Sequence, residues 1–252
     1  MLEKSSNKGP EDPADLRTLP LFAECGQEVL APMFAALRPV RMRARSTLVI
    51  GNAARGQVAF LWSGRVRLTM VSPGSAAVTL YTAEPGAVLG LPAALLNFDA
   101  SQGARLQCDQ AALLLTAPIA ALMDAARACP NLCDAIMRML AAQSIDFAAR
   151  VYELAALDVR ARLQAELLRL ARRGAWQDGV LIVTDAPTQA ALGAQIGAAR
   201  EAVTRHLRDL TQEGLIVFKR GAIEFPDLRR LKALDQAAAG RAFWSGAASN
   251  DT

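Results

Sequence analysis

The sequence predicts an α+β protein: an N-terminal antiparallel β-roll, a long helix, and a C-terminal unit of paired short helices with a β-hairpin. Three observations predict this fold class. Between residues 38 and 116, short apolar runs are separated by Gly and Pro. Between Pro130 and Leu157, no glycine or further proline interrupts an apolar heptad pattern. After Thr188, two short helical patterns flank Gly197 and precede a basic turn.

The composition and the apolar runs exclude several classes of protein. A chain of 252 residues holds one large domain or two smaller ones, and 52% hydrophobic residues exclude a wholly disordered chain. The longest apolar run, 111–123, is too short to span a bilayer, and the polar N-terminus lacks the apolar core of a secretory signal. Four scattered cysteines fit a reducing compartment. We therefore expect a cytoplasmic protein without membrane contact.

The two ends of the chain differ in composition from its middle. Residues 1–19 are polar, charged and contain proline, which predicts a disordered tail. Residues 235–252 are rich in small and polar side chains, which predicts a C-terminal tail.

Residues 20–129 form the predicted β-roll. Apolar runs at 47–50, 58–62, 78–81 and 87–89 are each bounded by turn residues. Strands at such regular spacing favour an antiparallel barrel or jelly roll. An ordinary sandwich without a pocket gives the same pattern and stays open.

Residues 130–157 form the predicted dimerisation helix. Pro130 suits the first position of a helix. Two series of residues recur every seven positions and form one seam: Cys133, Leu140, Phe147 and Leu154, with Met137, Ser144 and Val151 between them. Two copies of the chain can pair along such a seam. Packing of the same stripe on the chain's own core is the alternative.

Residues 158–234 carry a basic excess equal to the net charge of the whole chain, +4. A basic segment of this kind is typical of a nucleic-acid-binding domain, although a solvated basic face has the same composition.

Within this segment the pattern predicts a helix-turn-helix. Thr188 is placed to cap a first helix, Gly197 to form a turn, and apolar residues on both helices to face each other. The apolar runs around Lys219 and Arg220 predict a β-hairpin, which completes a winged helix-turn-helix. The predicted DNA-binding residues are Thr188, Gln189, Arg200, Glu201, Thr204, Arg205, His206, Arg208, Lys219 and Arg220.

Over residues 20–234, the order of these parts and the motif Arg200-Glu201-x-x-x-Arg205 resemble the Crp/Fnr family of transcription regulators. The resemblance implies a homodimer on a two-fold symmetric promoter site, with RNA polymerase as a partner and activation as the expected mode. It implies that Arg200 and Arg205 contact guanines and Glu201 a cytosine, and that Thr188 and Gln189 contact phosphates. Asp158 and Arg162 would occupy the hinge between the dimer helix and the DNA-binding domain.

The sequence departs from the family where cyclic nucleotides bind. The position of the family's acidic residue is Leu91, and Ser101 and Gln102 replace the arginine and its neighbour. Phe147 stands where a polar residue of the dimer helix meets the base. We expect neither cyclic AMP nor cyclic GMP to bind, and we predict no cofactor. Leu91, Ser101, Gln102 and Phe147 are the candidate lining of a pocket for an unknown effector, if one exists.

Other classes of site fit the sequence less well. A single histidine and scattered cysteines do not match a haem or iron–sulfur centre, so no metal site is predicted. With no phosphate loop and no nucleophile–base motif, we do not expect an enzyme. Cys129 and Cys133 lie at i and i+4, and a redox-responsive regulator switched through this pair is the alternative function.

Overall fold

The computed structural model describes residues 9–49, 55–71, 78–99, 103–108, 110–219 and 221–239. The chain divides into two compact units, Met1–Ser144 and Ile145–Thr252. Within the described residues, no helix is long and apolar enough to cross a membrane.

The first unit begins with short helical segments. Two 3-10 helices, Pro13–Thr18 and Pro20–Phe22, precede helix α1, Gln27–Ala36. Asp12 caps the first of them by accepting a hydrogen bond from the backbone N–H of Ala14 at 2.8 Å. Leu16 is completely buried. Residues 13–18 are therefore ordered, contrary to the prediction of a disordered tail over 1–19, because an apolar anchor and a capped turn outweigh the polar composition.

Among the described residues, eight strands form the β-roll of the first unit. They are β1 Arg38–Met42, β2 Ser46–Val49, β3 Gln57–Ser63, β4 Val66–Met70, β5 Val78–Ala83, β6 Val88–Leu89, β7 Ala104–Cys108 and β8 Ala112–Pro118. All pairs are antiparallel, in two four-stranded sheets of order β1-β8-β3-β6 and β2-β7-β4-β5. An apolar cluster joins both sheets, with Leu61 and Leu114 from the first and Val66 and Leu106 from the second.

Three helices follow or interrupt the strands. They are α2 Leu91–Leu95, α3 Ile119–Ala128 and α4 Pro130–Ala156. A second apolar cluster packs Phe60 of β3 against Leu30 of α1, Leu122 of α3 and Leu132 of α4. The long uninterrupted helix predicted over residues 130–157 is present.

The second unit contains the last turns of α4 and a mixed α/β arrangement. Its further elements are α5 Val159–Ala171, β9 Ala175–Gln177, β10 Val180–Thr184, α6 Gln189–Ile196, α7 Arg200–Gln212, β11 Val217–Lys219, β12 Ala222–Phe225 and α8 Leu228–Ala239. The four strands form one antiparallel sheet in the order β11-β12-β10-β9. Helix α8 extends five residues into the segment predicted as a C-terminal tail, and Asp235 within it is buried.

Candidate nucleic-acid interface

Helix α6 is bounded by two local signals. The Thr188 hydroxyl oxygen accepts a hydrogen bond from the Ala191 backbone N–H at 3.2 Å, so Thr188 is the N-cap residue. Gly197 ends the helix in the left-handed conformation, with φ 62° and ψ 46°. That conformation is the usual way to end a helix at glycine, and it starts the turn that leads to α7.

Helices α6 and α7 share an apolar face and approach each other closely. Leu192 and Ile196 of α6 and Val203 and Leu207 of α7 are buried in one cluster. A side chain at Gly193 would place its Cβ only 2.6 Å from the carbonyl oxygen of Ala198 in the connecting turn. Glycine at this position therefore permits the tight turn of the helix pair.

A polar contact also joins the two helices at their N-terminal ends. The Thr204 hydroxyl lies 2.6 Å from Oε1 of Gln189 and 2.9 Å from the carbonyl oxygen of Arg200. Both Gln189 and Thr204 are predicted DNA contacts, and both are partly buried against each other. Their immediate structural effect is to hold the first turn of α7 beside the start of α6.

The exposed face of α7 carries unpaired charge. Arg200, Glu201, Arg205 and Arg208 are exposed, and none of them makes an ion pair or a side-chain hydrogen bond with the described residues. Glu201 lies in the first turn of the helix, where a carboxylate is favoured by the helix dipole. Three guanidinium groups and one carboxylate are thus available to an external partner along this face.

His206 lies differently from these residues. Its side chain is only 18% exposed, and Nδ1 is 3.5 Å from Oδ2 of Asp209. Nδ1 is buried and has no hydrogen-bond partner among the described residues. The imidazole is therefore partly packed rather than displayed for a partner.

The predicted β-hairpin, or wing, consists of β11 and β12, paired from Val217 opposite Glu224 to Lys219 opposite Ala222. Lys219 is exposed and forms an ion pair with Glu224. Arg220, the second basic residue predicted here, lies outside the described residues.

Helix α5 packs against α6 and α7 in the buried cluster of the second unit. Asp158 caps it by accepting a hydrogen bond from the Ala161 backbone N–H at 2.8 Å. A single guanidinium nitrogen of Arg160 donates to both carboxylate oxygens of Glu213, at 2.6 and 2.8 Å, and so ties the start of α5 to the end of α7. Arg160 is therefore paired within the chain, in contrast to the arginines on the exposed face of α7.

Two of the four candidate effector residues are described by the structure, and they lie in different units. Leu91 is completely buried at the start of α2 in the first unit. Phe147 belongs to the second unit and is 43% exposed. Ser101 and Gln102 lie outside the described residues.

The cysteines are all free thiols, and three of the four are buried. Burial, together with a hydrogen bond to the Cys129 thiol, raises the pKa of Cys25 to about 12. The spacing of the cysteines in the sequence does not predict this contact, because more than a hundred residues separate Cys25 and Cys129. Cys133 is half-buried and lies one helical turn after Cys129.

Among the described residues, no group of three or more His, Cys, Asp or Glu could hold a metal ion.

Sequence reasoning missed the hairpin of β9 and β10. Asp178 and Gly179 form its two-residue turn, and both have positive φ, 47° and 80°. Asp-Gly between two apolar runs is a strong hairpin signal, so this element was available from the sequence. Trp176 on β9 is 66% exposed.

Comparisons with known proteins agree with this geometry. The sequence of residues 161–234 matches the family of Crp-like helix-turn-helix domains. No curated protein matches the chain in sequence.

Several solved structures share the fold. A CooA mutant from Carboxydothermus hydrogenoformans has a TM-score of 0.70 at 18% identity, covering 92% of this chain and 99% of that one. FixK2 from Bradyrhizobium japonicum has a TM-score of 0.66 at 19% identity, with 81% and 99% covered. A transcriptional regulator of the CRP/FNR family from Thermus thermophilus has a TM-score of 0.63 at 24% identity, with 80% and 100% covered.

The predicted fold class is thereby confirmed. Residues 161–234 match the family of Crp-like helix-turn-helix domains, and the chain shares its fold with solved structures of Crp/Fnr regulators.

Proposed function

We propose that this chain is a sequence-specific DNA-binding transcription regulator of the Crp/Fnr type and has no catalytic activity. The observation that carries the proposal is the exposed face of α7. Arg200, Glu201 and Arg205 occupy its first two turns, exposed and unpaired within the described residues, on a helix fixed by a buried seam. An exposed second helix of such a pair is the element that enters the major groove.

The residue types suit base recognition. The guanidinium fork of arginine matches O6 and N7 of guanine, and a carboxylate accepts a hydrogen bond from N4 of cytosine. We assign Arg200 and Arg205 to guanines and Glu201 to a cytosine. Arg208, Lys219, Arg220 and Thr188 are assigned to phosphates, and Gln189 and Thr204 contribute mainly by holding the two helices together. His206 approaches the DNA only with its exposed edge.

The dimeric state of the proposal is supported by the long helix. Met137, Phe147 and Val151 are predicted seam residues, and they are 56%, 43% and 66% exposed on α4. Large apolar side chains at heptad spacing on an exposed face of a helix are suited to pairing with a second copy. A dimer places two recognition helices on a two-fold symmetric site, with RNA polymerase as the expected partner in the cytoplasm.

The effector is proposed to be something other than a cyclic nucleotide, or absent. Leu91, at the position of the family's acidic residue, is an aliphatic side chain with no exposed surface. It offers no hydrogen-bond acceptor for ribose hydroxyls.

The redox alternative through Cys129 and Cys133 is less well supported. Cys129 is buried, and its hydrogen-bonded neighbour Cys25 has a pKa raised to about 12. Burial keeps oxidants away from Cys129, and the raised pKa of Cys25 leaves that neighbouring thiol mostly protonated and slow to react.

The first test is selection of binding sites from random duplex DNA by the purified full-length chain without added ligand. Enrichment of a two-fold symmetric site with guanines in each half supports the proposal. No enrichment by a folded dimer would refute a regulator that is competent without an effector.

Substitutions on α7 then separate base contacts from phosphate contacts. Arg200→Ala is expected to cost about 1–3 kcal/mol on the selected site and to relax preference at one base pair. Arg43→Ala, which removes an exposed arginine of the first unit, is the matched control and leaves binding unchanged. Equal loss on all DNA sequences would instead identify Arg200 as a phosphate contact.

Substitution of Glu201 is expected to change the affinity for random DNA in the opposite direction. A carboxylate facing DNA repels phosphates, so Glu201→Ala should increase affinity for random DNA while it reduces discrimination at its own base pair. Binding titrations on the selected site and on a scrambled site, at one salt concentration, measure both effects. A loss of affinity for both DNAs would contradict the assignment of Glu201 to a base.

A further inference from the structure

A partly buried network of four charged side chains, with both carboxylates buried, joins the last turns of α4 to α5 in the second unit. Its members are Arg150 and Glu153 on α4, and Glu166 and Arg169 on α5. The two glutamates are 6% and 9% exposed in their side chains, Arg150 is 17% exposed and Arg169 is 36% exposed. Two positive and two negative groups balance, which is the condition under which buried charge is tolerated.

Arg169 is the centre of this network. Its two terminal nitrogens lie 2.7 and 3.0 Å from the two carboxylate oxygens of Glu153, and its Nε donates to Oε2 of Glu166 at 2.9 Å. A two-pronged arginine–carboxylate pair fixes direction as well as distance. The pair therefore sets the orientation of α5 against the end of α4.

Arg150 closes the network from the α4 side. One of its terminal nitrogens is 3.0 Å from Oε2 of Glu153 and 3.7 Å from Oε2 of Glu166. Burial alone would raise the pKa of Glu153, but the hydrogen bond and charge of Arg169, with those of Arg150, hold the pKa below its usual value. Burial would lower the pKa of Arg169, and the two glutamates raise it instead.

The orientation of α5 is transmitted to α7 through the core. Leu163 and Leu167 of α5 lie in the same buried cluster as Ile196 of α6 and Val203 of α7. A second contact joins α4 to the helix-turn-helix: a Cβ built at Gly197 would lie 3.2 Å from Cδ2 of Leu154. The connection between α4 and α5, at Leu157 and Asp158, is thus bridged in two ways. The charged network joins the two helices, and an apolar contact joins α4 to the turn between α6 and α7.

We propose that this network is a latch that makes the last turns of α4 and the helix-turn-helix one rigid piece, with Glu153 and Arg169 as positioning residues for DNA reading. The inference rests on the proposed function. Because α4 carries the proposed dimer seam, locking its end to α5 fixes the direction in which each recognition helix leaves the dimer. The latch then determines the spacing of half-sites that the dimer accepts.

The first readout needs no DNA. Hydrogen exchange of the full-length chain is compared for the wild type, Arg169→Met and Arg127→Met. Arg127 pairs with Asp124 on the surface, where both side chains are more than 70% exposed, so its loss controls for breaking an ion pair. We expect the amides of residues 153–162 to exchange roughly tenfold faster or more in Arg169→Met, since two buried glutamates then share the single guanidinium group of Arg150. The amides of α7 should exchange as in the wild type.

A second variant separates the latch from a merely structural role. Glu153→Leu/Arg169→Met keeps the net charge and replaces the pair by apolar side chains, an exchange that is often neutral for stability. If this variant keeps the wild-type protection of residues 153–162, ordinary packing suffices and the latch is refuted. Faster exchange throughout α7 in both variants would equally overturn it, because the network would then only stabilise the fold.

The second readout is the spacing of half-sites. Binding is measured on the selected site and on sites with one base pair inserted or deleted at the centre. We expect the wild type and Arg127→Met to reject the altered sites, and the double variant to lose roughly tenfold of that discrimination. Unchanged discrimination would refute the positioning role. If the wild type itself selects no DNA, the proposed function fails, while the hydrogen-exchange result still decides whether the connection between α4 and α5 is locked.

Discussion

Replacing Gly197 by alanine tests how the turn between α6 and α7 is held. Gly197 has φ 62° and ψ 46°, a conformation that costs an L-residue roughly 1–2 kcal/mol. Alanine also reduces the freedom of the unfolded chain, which returns about 0.4–1 kcal/mol. The new Cβ would lie 3.2 Å from Cδ2 of Leu154, and that side-chain methyl can move by a few tenths of an ångström. We therefore expect a net destabilisation of about 1 kcal/mol.

The assay is chemical unfolding of the full-length protein, followed by circular dichroism, with Gly214→Ala as the control. Gly214 has φ 72°, and a Cβ there would meet no atom within 4 Å. The control measures the backbone cost alone, so any excess in Gly197→Ala reports the contact with Leu154. Gly197→Asn should cost less than Gly197→Ala, because asparagine tolerates this conformation better. If Gly197→Ala is as stable as the wild type, the left-handed turn and its strain are not as described.

Two further predictions concern titratable groups. At about pH 8, an alkylating reagent should modify Cys25 far more slowly in the folded than in the unfolded protein, because burial and a pKa of about 12 leave little accessible thiolate; mass spectrometry of the labelled peptides measures this, and equal rates would contradict it. The pKa of Glu153 is lowered in the folded protein, so its stabilising contribution is present above its unfolded pKa of about 4.3 and is lost as the pH falls through the folded value. The wild type should therefore lose its stability advantage over Glu153→Gln as the pH falls from about 4.3 through the folded value, as measured by denaturant unfolding, whereas a constant difference would show that ionisation of Glu153 does not stabilise the fold.

The helix-turn-helix was predictable because its signals are local. A capping threonine, a turn glycine and apolar residues at helical spacing all lie within 188–210 and act over three or four positions. The structure has α6 and α7 where these signals place them. The same reasoning identified Arg200, Glu201 and Arg205 as outward-facing.

The contacts that hold this motif were not predictable, because they join residues far apart in sequence. Arg160 meets Glu213 across 53 positions, and Arg169 meets Glu153 across 16. A sequence shows that such side chains are charged, but only the packing of helices decides which of them meet. The prediction of a disordered tail over residues 1–19 was wrong for a related reason: the polar average composition does not show that Leu16 and Leu19 are buried.

These internal pairs change how the basic character of the second unit is to be understood. The sequence locates a charge excess in residues 158–234, but two of its arginines, Arg160 and Arg169, are paired with glutamates of the described fold, Glu213, Glu153 and Glu166. What remains unpaired on α7 includes one acid, Glu201. For a surface that only attracts phosphates, an exposed carboxylate in the first turn weakens binding. For a surface that reads bases, it supplies an acceptor that no basic residue can provide. The mixture of signs on α7, more than the net charge, is what favours sequence-specific recognition over general affinity for nucleic acid.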